Sequence, residues 1–209
     1  MTRKIISCAL LLFAGVPAGC GAARSSKYYQ LTIPGDVTPV SEPNPYPITL
    51  VLGRVTSSHL YREDHVAYSS DGQSMGVYEY QRWAEPPTEM IADVLLRELR
   101  ASGHYRAVYA SGSNVRGDYL LRGHLYDFKE VSGSALVGRV TFELELRDIK
   151  TGTIVWTQFY THDEPVSRKD VSAVAAALDR NVQLGVTEFK ASLDKYFSTH
   201  PPVDSAAAR

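Results

Sequence analysis

Apolar and polar positions along the chain change rhythm several times, and each change marks an element. "KYYQLTI" (27–33) is a short strand candidate closed by Pro34-Gly35, and a connector with Pro39, Pro43, Pro45 and Pro47 follows it. "ITLVLGRVT" (48–56) is apolar or β-branched at both parities and reads as a strand buried on both faces. "HVAYSS" and "GVYEYQ" flank Asp71-Gly72, the composition of a β-hairpin turn. The period then lengthens. In "EPPTEMIADVLLRELRASG" (85–103), Met90, Ile91, Val94, Leu95 and Leu99 form one stripe, with prolines suited to a first helical turn and Gly103 placed as a C-cap.

A short strand, "YRAVYA" (105–110), leads to three longer ones: "DYLLRGHLYDFKEV" (118–131), "LVGRVTFELELRD" (136–148) and "TIVWTQFYT" (153–161). The middle one alternates cleanly. Val140, Phe142, Leu144 and Leu146 point one way; Arg139, Thr141, Glu143, Glu145 and Arg147 point the other, so a meander with one wet face is expected. From Asp170 to Phe197, Val171, Val174, Leu178, Val182, Val186, Phe189 and Leu193 step by threes and fours, the stripe of a helix laid on a sheet. The predicted fold class is α/β: a two-layer sandwich of one mixed or largely antiparallel sheet, with two main helices packed on one face.

The ends of the chain carry a different message. Arg3 and Lys4 precede an apolar run from Ile5 to Val16 that is too short to span a bilayer and is followed by small residues, which describes an export signal over residues 1–19. Its removal would discard Cys8 and leave Cys20 without a disulfide partner. Val16-Pro17-Ala18-Gly19-Cys20 looks like a bacterial lipobox, in which the cysteine sulfur receives a diacylglycerol. Pro17 departs from the leucine usual at that position, and ordinary cleavage after Ala18 is the alternative. A lone thiol in an oxidising compartment favours lipidation, and several acyl chains at ~0.8 kcal/mol per buried methylene make a stable anchor. Gly21 rather than Asp follows the cysteine, so the inner-membrane retention signal is missing and the outer membrane is expected, the domain facing the periplasm. Residues 20–26 read as a flexible lipidated tether, 27–197 as one domain, and 198–209 ("STHPPVDSAAAR") as a disordered tail.

Charge excludes little else. With 22 Lys+Arg against 23 Asp+Glu and no basic run, nothing suggests nucleic acid. No G-x-S-x-G elbow, P-loop or H-E-x-x-H occurs, so no catalytic residue, cofactor site or metal site is assigned. His162-Asp163-Glu164, the densest polar trio, reads as a solvated turn, and His124, on one strand face with Arg122 and Tyr126, as a half-exposed strand histidine. Thirteen tyrosines are weak support for a binding protein.

"YEYQRWAEPP" (78–87) is the sharper feature. Trp83 either plugs the junction between sheet and helix or joins Arg82 in a protein interface, where both residue types are enriched. Together with the anchor, "KYYQLTIP" and "YEYQRWAEPPTEMIADVLLRELRASGHYRAV" resemble the ABC-type transport auxiliary lipoprotein family, which includes the PqiC-like lipoproteins of MCE-type lipid transport systems. The resemblance continues through "DYLLRGHLYDFKEV", "LELRDIKTGTIVWTQFY" and "VSAVAAALDRNVQLGV", in order and over nearly the whole mature chain.

That resemblance implies a non-catalytic accessory protein, anchored in the outer membrane through Cys20 and docking the distal end of an MCE conduit. It also implies self-association into rings, for which the wet face with Arg139, Glu143, Glu145 and Arg147 offers charges of both signs. The partner-interface candidates are Tyr80, Arg82, Trp83 and Pro86, with Leu136 and Val137 at the "SGSALV" tip, where an apolar pair ends a flexible turn. Two competing readings remain: a lipoprotein activator of a cell-wall synthase or secretion-machine component, and a periplasmic hydrolase with an unrecognised site.

Overall fold

The computed structural model describes residues 24–33 and 46–202. The signal, Cys20, the middle of the proline-rich connector and the end of the tail lie outside the described residues. Eight strands and two α-helices follow in the order β1 (Lys27–Tyr29), β2 (Tyr46–Ser57), β3 (His65–Ser69), β4 (Gly76–Trp83), α1 (Pro87–Ala101), β5 (Tyr105–Ala110), β6 (Tyr119–Ser132), β7 (Leu136–Asp148), β8 (Ile154–Pro165) and α2 (Val171–Thr199), with a 3-10 turn at His59–Arg62.

The strands form one mixed sheet. β6 organises it. Along one edge β6 pairs antiparallel with β7 from Tyr119 to Ser132, and β7 passes the meander on to β8. Its other edge is divided: Tyr119–Leu125 pair parallel with β2, and Lys129–Val131 pair parallel with β3. Beyond β2 lies β5, and beyond β3 lie β4 and then β1. A bulge between Leu125 and Asp127 separates the two halves of β6.

Both helices cover the same face. α1 rests on β2 and β5, and α2 on β6, β7 and β8, with the Lys190 ammonium donating to Glu98 between them. The predicted stripes are buried, Met90, Ile91, Val94, Leu95 and Leu99 on α1 and Val174, Leu178, Val182, Val186, Phe189 and Leu193 on α2, except that Val171 at the start of α2 is half-buried. Opposite them, Val140, Phe142, Leu144 and Leu146 of β7 are buried as the alternation requires. Two glycines let α2 sit close. A Cβ on Gly138 would stand 3.2 Å from the Leu178 nitrogen, and one on Gly185 would stand 2.9 Å from the rings of Phe142 and Tyr160. Gly103 ends α1 at φ 68° and Gly72 turns the β3–β4 hairpin at φ 79°, the left-handed conformations their places in the sequence call for.

Four expectations need correction. β2 is not buried on both faces: Ile48, Leu50 and Leu52 are buried and, past a register shift, so is Val55, whereas Thr49 and Val51 on the opposite face are half-buried and Arg54 and Thr56 exposed, because the helices among the described residues cover one face of the sheet. The "KYYQLTI" segment pairs only at Lys27–Tyr29; Leu31 is buried all the same and Thr32 is bonded to Asp179 of α2. His162-Asp163-Glu164 is not a loop, since β8 continues to Pro165 and pairs these residues with Gly138–Val140. α2 runs past Phe197 to Thr199, where the Tyr196 carbonyl accepts from the His200 amide.

Candidate functional site

Trp83 has no exposed surface. Its ring stands 5.0 Å from that of Phe128 and edge-on to Tyr29 at 6.2 Å, so it is the plug between β4, β1 and the core, and presents nothing to a partner. No acceptor for its indole N–H is found among the described residues. Arg82 donates to Asp64 at 2.6 Å and ties the 3-10 turn region to β4. Pro86 is half-buried and starts α1, its carbonyl accepting from Glu89 at 2.9 Å. Of this group only Tyr80 looks outward in a useful direction: the Arg24 guanidinium lies over its ring at 5.4 Å, within cation–π range.

Arg24 and Lys27 show where the N-terminal end of the described chain lies. Lys27 donates to the Ser172 hydroxyl at 2.8 Å, in the first turn of α2, and Tyr29 donates to Gln81 at 2.6 Å beside it. The chain therefore enters the domain at the start of α2, next to β4. At this same end the β6–β7 hairpin turns. Gly133, Ser134 and Ala135 form its exposed tip, whereas Leu136 is half-buried against the core and Val137 is half-buried. The expected apolar tip is thus set back into the domain.

Between this hairpin and the start of α2 lies a cavity of about 520 Å³, lined by Tyr78, Glu130, Ser132–Leu136 and Lys169–Val171. Glu130 is 7% exposed. One carboxylate oxygen accepts from the Tyr78 hydroxyl at 2.9 Å and the other from the Ser132 hydroxyl at 2.9 Å. Burial, reinforced by the Glu130 carboxylate, holds the Tyr78 hydroxyl well above the usual tyrosine range. None of Tyr78, Glu130 and Lys169 stood out in the sequence. Glu130 follows Phe128 at strand spacing, but the bulge at Tyr126 resets the parity of β6 and hides that it points inward.

None of the helices among the described residues lies on the sheet's other face. Cross-strand pairs cover it: Arg122 with Glu145 at 2.9 Å, Tyr126 with Glu143 at 3.1 Å, and Arg139 with Asp163 through two bonds of 2.7 Å. Thr141 departs from the expected wet face, since it is buried and bonded to Thr161. Among these charges stands an aromatic row. The ring of His124 lies 4.5 Å from Tyr126, which lies 5.9 Å from Phe159, and Tyr126 and Phe159 are 47% and 55% exposed. No group of three or more His, Cys, Asp or Glu among the described residues could hold a metal ion, and none of their helices is long and apolar enough to cross a membrane.

The same fold occurs in solved structures. A crystal structure of a Xanthomonas campestris protein superposes with a TM-score of 0.67 at 24% identity, over 78% of this chain and 92% of that one. The crystal structure of an uncharacterized protein gives 0.63 at 13% identity, over 81% and 99%. No curated protein matches the chain at a significant level. The family model of the ABC-type transport auxiliary lipoprotein component matches residues 29–188, from β1 through most of α2, and the chain belongs to that family.

Proposed function

We propose that this chain is a non-catalytic accessory lipoprotein of an envelope lipid transporter, held in the outer membrane through acylated Cys20 and docking the periplasmic end of an MCE-type conduit. Residues 1–19 are the signal removed on export, 20–26 the tether, and 27–197 the docking domain. The observation that supports this reading most is the family match over residues 29–188, because it covers the sheet and helix faces alike and not one motif. The open sheet face is the surface assigned to the partner: it is broad, no helix among the described residues lies on it, and it carries exposed Tyr126 and Phe159 amid charges of both signs. Tyr80, beside Arg24 where the tether enters the domain, orients it. A second copy of the chain, as in a ring, competes for the same face.

Crosslinking with mass spectrometry on membrane fractions, comparing the native chain with Cys20→Ser, tests the reading. An MCE-domain partner lost with Cys20→Ser supports anchored docking. A partner retained without the anchor makes lipidation a matter of location alone. A cell-wall synthase, a secretin or only the chain itself in the crosslinks would overturn the docking role.

A further inference from the structure

The cavity beside α2 has a charge problem that the domain does not solve. Glu130 is 7% exposed, and its two partners, Tyr78 and Ser132, are neutral hydroxyls. Buried carboxylates ordinarily have a cationic partner as well as hydrogen bonds. Neighbouring Lys129 is engaged elsewhere, by Asp127 at 2.5 Å. The start of α2 adds a favourable field, but its Ala173 amide is already capped by Asp170 at 2.9 Å. Lys169, exposed on the cavity's rim, makes no ion pair among the described residues. The cavity thus offers a buried negative site and a rim positive site, with Leu136 and Val171 as apolar wall.

Its place in the molecule says what meets it. Arg24 lies on Tyr80 and Lys27 on Ser172, at the end where the cavity opens. The four peptide units from Cys20 to Arg24 span at most about 14 Å. With Cys20 acylated, this end faces the bilayer surface, and Arg24, Lys27 and Lys169 are the cations that meet its phosphates, Asp170 on the lining being taken up by the Ala173 amide and by Arg168 at 3.4 Å.

The geometry points to a binding site for the headgroup of an aminophospholipid from the host membrane. The primary ammonium takes the place of the missing cation on Glu130, the phosphodiester meets Lys169 and the Ser134 hydroxyl, and the glycerol end lies along Leu136 and Val171. A cavity of about 520 Å³ is ample for such a headgroup. Binding would fix the domain's tilt on the membrane, which the tether alone leaves free. This assignment rests on the anchored reading above.

The test uses the lipoprotein extracted from membranes in detergent, with native mass spectrometry to count bound molecules and hydrogen exchange to locate them. Phosphatidylethanolamine is expected to form a saturable adduct at least tenfold tighter than phosphatidylglycerol, protecting residues 130–136 and 169–172. Glu130→Gln should abolish that preference, and Lys169→Ala, on an exposed side chain, should weaken both adducts several-fold. Equal adducts for the two lipids overturn the site, as does a preference that survives Glu130→Gln. Equal protection by inorganic phosphate would assign the cavity to a free anion and overturn the headgroup. Should Glu130→Gln fail to fold, Lys169→Ala carries the test alone: unchanged adducts sink it. The same spectra report whether Cys20 is acylated, so failure of the anchor and failure of the site are read separately.

Discussion

The Tyr160 hydroxyl donates to the side-chain oxygen of Asn181 at 2.7 Å, in a position where Asn181 has no exposed surface. The amide nitrogen of Asn181 completes the arrangement by donating to the carbonyls of Gly138 and His162, each at 2.8 Å. One side chain on α2 thus fastens the helix to β7 and β8 together. Replacing it takes this donor from two buried carbonyls, each loss costing about 1–3 kcal/mol if water cannot reach the site, while the Tyr160 hydroxyl keeps the main-chain carbonyl of residue 181 at 3.0 Å. Asn181→Leu is expected to lower unfolding stability by at least about 2 kcal/mol in urea titrations, and Tyr160→Phe by about 1 kcal/mol. An Asn181→Leu variant as stable as the native chain would show that the bridge is dispensable.

Gly185 should be as intolerant for a steric reason. Its missing Cβ leaves room for Phe142 and Tyr160, both of which would stand at 2.9 Å from an added methyl. Gly185→Ala is expected to cost about 1–3 kcal/mol despite alanine's better helix propensity. Gly133 is the control, because an added methyl there would meet nothing within 4 Å: Gly133→Ala should leave the melting temperature nearly unchanged.

Trp83 is predicted to matter for folding and not for recognition. Trp83→Ala should cost about 3–5 kcal/mol. Trp83→Phe should cost less than its loss of volume implies, below about 2 kcal/mol, because it also removes an indole N–H that finds no acceptor among the described residues. Thermal melts of the two variants, read beside partner crosslinking at equal folded concentration, check this. Weakened crosslinking by a fully stable Trp83→Phe would return the residue to the interface.

Acid should loosen the β3–β4 hairpin late. The Ser74 hydroxyl and the amides of Gln73 and Ser74 hold the Asp71 carboxylate down at about 2, against an ordinary 3.8. A carboxylate depressed on folding contributes fully above its unfolded value, and the contribution is lost as pH falls through the folded one. Asp163, held low by its bond to Arg139, acts in the same direction. Asp71→Asn is therefore expected to flatten the stability curve between about pH 4 and pH 2. A carboxyl titration by NMR placing the Asp71 midpoint near 4 would contradict it.

On the open face, Tyr126→Ala with Phe159→Ser should leave stability within about 1 kcal/mol, since both side chains are about half exposed. Crosslinking to the transport partner is expected to fall several-fold. Unchanged crosslinking would move the contact off this face.

Much of this architecture was legible because its signals are local. The stripes of α1 and α2, the alternation of β7 and the glycines at 72 and 103 are each decided by a few neighbours, and each is where the pattern put it. The division of β6's edge between β2 and β3 was not legible, since strand pairing at a distance leaves no trace in either strand alone. Glu130 was hidden by the bulge beside it. Tyr80, Arg82, Trp83 and Pro86 were found as a group because they are distinctive residue types, yet the structure gives them separate tasks: an aromatic platform for Arg24, an ion pair, a plug and a helix start. Composition cannot separate those, because burial is a property of the assembled domain.

The two ends of the folded chain close on each other. Lys27 reaches Ser172, Thr32 reaches Asp179 through two bonds, and Gln183 donates back to the Thr32 carbonyl. These contacts span some 145 to 151 residues, so a chain delivered from its N-terminus can make none of them until α2 has begun to emerge. Such long loops are slow to close. A chain delivered in order from its N-terminus would stay open to chaperones until α2 had arrived, and only then would the segment from Lys27 to Thr32 be drawn onto the domain. The clasp near residue 30 is in this sense a timer: it delays the seating of the N-terminal strand until the last helix has begun to emerge.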